Sequence, residues 1–406
     1  MQFAGAQNAF FAVGFGLLGL IVGWACGTLL PHRAARASTS AQLCAAGPWG
    51  HVRYVDTLIE APESAIRVAA TPTNTTTWFL DVLSPLALKQ KLRTCSLNAE
   101  QIEVLLKYAT PATNGTGYVL QPPDAFVIGL TPPDRANLYG LLTGYTQNVA
   151  QVAPFRFDLE TKKDWFEGVR LGAPVEALVR RLVYSQNNLR LFSDLPLVVR
   201  RHPDPAVYAA LFRALSREAT VLATLRLAPD DQLKDLAYYW GWPDREESVL
   251  TLLQTAHFAG PNTDVPLALL LPPFARDRLD QYPSGADPEF SSSYYTCMNF
   301  FSTLPDPRFA NYAEVERALR EDYLEVPDPE YQLGDVILFE RKGEGVVHAC
   351  NYVAENLVFT KNGGALVRPW LLVRLNDLVS FYSYPKPVTV KVLRRRDLIK
   401  HTRTTP

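Results

Sequence analysis

"GDVILFERKGEGVVHACNYVAENLVFTKNG", residues 334–363, decides how the C-terminal part of this chain folds. "GDVILFE", "GVVHACNYVA" and "LVFTKNG" are apolar runs broken by charged, Gly- and Asn-containing stretches, so they read as consecutive strands. "PVTVKVLRRR" further on reads as another. One imidazole, His348, lies within the second run. It is either a core histidine held by a hydrogen bond or a catalytic base that faces a thiol from elsewhere in the chain.

Upstream of the strands the pattern changes to helical spacing. "SSSYYTCMNFFSTL" reads as a helix capped by one of its serines, and "YAEVERALREDYLEV" as a second helix. Helices followed by an antiparallel run of strands form an α+β layout. The first helix carries Cys297. A thiol nucleophile needs a base to hold it as thiolate and gains from a helix N-terminus, where backbone amides favour negative charge. Cys297, His348 and a third polar group therefore form the candidate constellation. A hairpin loop over residues 354–356 would place Asn362 across from His348, and period-2 alternation puts Thr360 on the same face. Either side chain is able to orient the ring. If the helix begins at the serines, Cys297 lies a turn too deep for the dipole, and Ser293 takes the nucleophile position. Cys350, two residues beyond His348, shares its strand face. Lys361 reads as a turn lysine, with the alternative that it binds an acidic group.

These features together resemble the papain-like NlpC-type cell-wall peptidases: a Cys near a helix start, Gly-Asp opening a strand ("GDVILF"), His leading into a Tyr ("HACNY"), then a strand with a polar third member. The resemblance covers residues 266–400. It implies a papain-like α+β domain with an antiparallel sheet, and thiol hydrolysis of amide bonds in cell-wall peptides through an acyl-enzyme. Carried over, Cys297 is the nucleophile, His348 the base, and Asn362 or Thr360 the orienting residue. Peptidoglycan or a peptide is the implied substrate, with neither cofactor nor metal. The sequence departs from the family at "TCM": Thr296-Cys297-Met298 stands where the family has Asp-Cys and a small residue. That departure keeps two alternatives open, a catalytically silent binding or scaffold module of the cell envelope and a Cys-His acyltransferase.

Outward from this region, residues 48–265 read as a helix-rich domain of no nameable chemistry. Its amphipathic segments include "NAEQIEVLLKYAT", with Asn98 as a cap, "TPPDRANLYGLLTGYTQ" and "PAVYAALFRALSRE". "HVRYVDTLIEA" and "ATVLATLRLA" are strand candidates within it. Residues 32–47 form a tether of small and polar residues. Before it, residues 8–30 are apolar and uncharged over about 23 positions, enough to cross a ~30 Å hydrocarbon core, so a transmembrane or signal-anchor helix is expected there. The implied location is single-pass in a membrane, with the following domains extracytoplasmic. Forty basic and 41 acidic residues give a net charge of -1, which supplies no electrostatic reason to bind nucleic acid. The five cysteines contain no CxxC spacing of the kind that marks zinc or thioredoxin-like sites.

Overall fold

The computed structural model describes residues 41–68, 75–113, 116–158, 166, 168–186, 189–260, 262–283, 292–326 and 330–399. Within them the chain is a mixture of helices and antiparallel sheets. No helix among the described residues is long and apolar enough to cross a membrane. That finding corrects the expected transmembrane helix, the membrane anchor and the single-pass location. Residues 8–30, where the helix was expected, lie outside the described residues. The extracytoplasmic placement rested on the family resemblance, and nothing among the described residues supports it.

The described residues divide into two compact units whose boundaries differ from a simple split near residue 265. One unit is Glu63–Ser216 with Ser383–Lys386. It is not purely helical. Two three-stranded antiparallel sheets, Trp78–Leu80 with Tyr118–Leu120 and Ala109–Pro111, and Phe155–Asp158 with Leu189–Phe192 and Tyr184–Gln186, stand among its helices. Asn98 caps the helix Ala99–Lys107 through a reciprocal capping box with Gln101, as its position in the sequence predicts. The core of this unit holds a buried polar network. Arg135 and Asp194 lie together, and Tyr139 Oη donates to Asp194 Oδ1 at 2.7 Å. Burial raises the Asp194 carboxyl to about 6 against the opposing pull of the Arg135 guanidinium.

The other unit takes in the described residues up to Pro62, Arg217–Tyr382 and those from Pro387 onward. Its first sheet is built on a nine-residue antiparallel pairing of His51–Ile59 with Glu218–Arg226, flanked by Gln42–Leu43 and Asp264–Pro266. Its second is a six-stranded antiparallel sheet. Across it run Tyr323–Glu325, Thr389–Arg395, Val336–Arg341, Gly345–Ala354, Leu357–Lys361 and Trp370–Arg374, in that order. The strands expected within residues 334–363 are all present. A two-residue connection at Glu355 and Asn356 joins the last two, with Glu355 at φ 46°.

Both faces of the six-stranded sheet are covered, which is why Leu357–Lys361 is buried at every position. One face meets the helix Ser293–Met298 and the helix Tyr312–Asp322, in a core that includes Cys297, Met298, Phe300, Val315, Leu338, Ala349, Val353 and Phe359. The opposite face carries Ile337, Phe339, Cys350, Tyr352 and Val358, packed against Leu378 and Tyr382 of the helix Leu375–Tyr382. Fully burying one such apolar side chain stabilises a fold by about 1.5–3 kcal/mol, so each layer is a substantial contribution.

The Gly-Asp pair that opens Val336–Arg341 has a structural cause. Gly334 sits at φ +87°, and a Cβ there would lie 2.2 Å from the Phe301 ring. Asp335 is buried, takes both Nε and Nη2 of Arg394 at 2.8 and 2.7 Å, and accepts from the Gln332 N–H at 2.8 Å. The pair thus locks the start of one central strand to its neighbour Thr389–Arg395.

Candidate functional site

The cysteine helix begins where its capping serine dictates. Ser292 Oγ accepts from the Tyr295 N–H at 3.1 Å, the first helical residue is Ser293, and the helix ends at Met298. Cys297 is therefore next to the last residue of a short helix, remote from the amides that would favour a thiolate. It is buried, and burial raises its thiol well above the ordinary value. Its Sγ makes no hydrogen bond among the described residues.

His348 lies in Gly345–Ala354, opposite Phe339 in the ladder. Its Nε2 is 2.7 Å from Thr360 Oγ1, and its ring stacks on Tyr382 with centroids 4.0 Å apart and planes 16° from parallel. Phe339 closes another side at 5.5 Å. Desolvation in this aromatic box lowers the imidazole to about 3, so the ring is neutral at physiological pH.

Strand alternation separates the two residues. His348, Cys350 and Tyr352 share the face that packs on the helix Leu375–Tyr382. Ala349, Asn351 and Val353 point the other way, toward the cysteine helix. The Asn351 side chain confirms the docking: its Nδ2 donates to the main-chain oxygens of Cys297 and Gly334, each at 3.3 Å. The sheet itself thus lies between the imidazole and the helix that carries the thiol.

Of the expected constellation, the structure brings together His348 and Thr360 only. Ser293 is buried at the first position of its helix, and its hydroxyl makes no hydrogen bond to His348. Asn362 stands beyond the end of Leu357–Lys361 and turns toward Glu218, with Nδ2 3.5 Å from Oε2. Cys350 donates weakly to the Ile337 carbonyl at 3.9 Å and is buried, its thiol raised by desolvation. Cys44 and Cys95 are likewise free and buried. Sequence reasoning missed Tyr382, the stacking partner of His348. Its signal was weak, an aromatic at the end of an amphipathic helix. It also placed Lys361 in a solvated turn, whereas the side chain is fully buried.

No protein-family model, no curated protein and no solved structure matches this chain.

Proposed function

We propose that the unit containing the six-stranded sheet is a catalytically silent papain-like module of the NlpC type, which binds a peptide rather than cleaving one. The order of its elements supports the papain-like reading: a cysteine helix, a second helix, then antiparallel strands with His348 on an inner one. The observation that carries the loss of catalysis is the placement of His348 and Cys297 on opposite faces of one sheet. A general base must come within hydrogen-bond reach of the proton it takes, and a neutral imidazole in an aromatic box on the far face has no route to the thiol. An acyltransferase needs the same pair, so the same geometry argues against it.

Alkylation of the full-length protein with iodoacetamide at pH 7.5, mapped by peptide mass spectrometry, tests this reading. Cys297 is expected to react only on unfolding, at a rate unchanged by His348→Ala in the variant that remains folded. Rapid labelling of Cys297 in the native protein that His348→Ala abolishes would overturn it.

A further inference from the structure

Phe274 and Arg278 stand four residues apart in the short helix Pro273–Arg278, so they share one helix face. The Arg278 guanidinium lies over the Phe274 ring, with Cζ 4.0 Å from its centre. Leu279, the next residue, forms a parallel bridge to Trp370, and that indole lies 5.7 Å from the same Cζ. Both rings are buried. So is Tyr295, whose ring meets Phe274 edge-on and which lies within electrostatic reach of the guanidinium. The floor under Arg278 is therefore made of fixed core side chains.

The guanidinium makes no hydrogen bond and no ion pair among the described residues, and none of its nitrogens is sealed from solvent. Other arginines of this unit are bound. Arg245 donates to the main-chain oxygens of Trp240 and Leu270, and Arg368, Arg374 and Arg394 meet Glu218, Asp377 and Asp335. The carboxylate next to Arg278 in sequence, Asp277, accepts from Arg276 Nε at 2.9 Å. A second cationic side chain stands on the same indole. Lys361 Nζ is 5.3 Å from the Trp370 ring centre and reaches the main-chain oxygens of Gly363 and Ala365 at 2.6 and 3.5 Å. No carboxylate lies within ion-pair distance of it among the described residues.

Stacking fixes the plane of a guanidinium and leaves its N–H edges free, so the fork loses little freedom on binding. Two coplanar carboxylate oxygens match such a fork, each accepting one N–H. A phosphate dianion is held by several converging donors, and a single open fork stands on these rings. In its protonated form Lys361 adds positive potential at the same indole. We propose that Arg278 is the seat of a carboxylate ligand. The guanidinium takes both oxygens through two parallel N–H donors, and Phe274 and Trp370 flank the small apolar group that carries the acid. This inference is independent of whether Cys297 is silent and of whether the module binds a peptide.

The test is phenylglyoxal modification of the full-length protein, mapped by peptide mass spectrometry. The reagent attacks open guanidinium groups and is excluded by a bound carboxylate. N-Acetylalanine at about 50 mM, compared with sodium chloride at equal ionic strength, is expected to slow modification of Arg278 at least about threefold, as occupancy of about two-thirds requires. N-Acetylalanine methylamide keeps the shape and lacks the acid, so it should leave the rate unchanged. Neither compound should alter the rate at Arg93, an exposed arginine of the other unit. Equal rates at Arg278 with and without N-acetylalanine, equal slowing by the methylamide, or equal slowing at Arg93 would overturn the proposal. So would inorganic phosphate that protects Arg278 at about a tenth of the N-acetylalanine concentration, because the seat would then favour a phosphoryl group.

Discussion

His348 is held by three neighbours, and each gives its burial a separate cause: Thr360 satisfies Nε2, and Tyr382 and Phe339 exclude water. Thr360→Val keeps the shape and removes the partner. A loss of about 1–3 kcal/mol is expected, read from urea unfolding, because a buried ring nitrogen is left unsatisfied. Cys297→Ser places a hydroxyl where the sulfur now packs without a partner and is expected to destabilise by about 1–3 kcal/mol. The sequence announced part of this. A helix start among the serines already implied a Cys297 too deep for the dipole, and the period-2 alternation put Thr360 on the face of His348, where the structure has it. The face that the cysteine helix covers was not legible. Residues on both sides of Gly345–Ala354 are buried, so its alternation carries no mark of which side meets which helix. Lys361 was misplaced for a related reason: Asn-Gly-Gly follows it, and the last inward-facing residue of a strand is locally indistinguishable from the first residue of the turn.

At the scale of elements, the strand that begins after Gly334-Asp335 depends on two local devices. Gly334→Ala forces a Cβ into the Phe301 ring from a left-handed backbone. Strain and overpacking together are expected to cost roughly 2–4 kcal/mol in denaturant unfolding. Arg394→Ala leaves Asp335 buried without its cation, at an expected cost of about 3–5 kcal/mol. The double variant Asp335→Asn with Arg394→Ala should recover part of that loss, because no uncompensated charge then remains. Elements of this kind read well from sequence. The strands within residues 334–363 and the Asn98 cap follow from short-range periodicity and turn residues and occur where expected, whereas the strands of the two small sheets within Glu63–Ser216, and Tyr323–Glu325 and Trp370–Arg374, were not anticipated.

At the scale of the whole molecule, sequence reading fails where pairing is distant. His51–Ile59 pairs with Glu218–Arg226 across the entire intervening unit, and no local pattern encodes that partnership. A boundary near residue 265 looked natural only because composition changes there. The sheet unit as a whole should also respond to pH through its two buried bases. For Lys361 the folded value is about 7 and the ordinary one 10.5, so the unfolded chain binds the extra proton between them. Stability is therefore fully present above about 10.5 and is lost as pH falls toward 7. His348 adds a second loss as pH falls from 6.5 toward 3. Lys361→Met is predicted to flatten the upper window, read from denaturant titrations between pH 7 and 10. A wild-type stability that stays level from pH 7 to 10 would contradict this.

The separation of His348 from Cys297 is tested most directly by an experimental structure of the sheet unit around the imidazole. It should show the ring of His348 stacked on Tyr382 with Nε2 at hydrogen-bond distance from Thr360 Oγ1, and the Cys297 carbonyl bound to Asn351 on the opposite face of the sheet. Cys297 Sγ or Ser293 Oγ within hydrogen-bond reach of the imidazole would contradict it and restore the thiol or hydroxyl nucleophile.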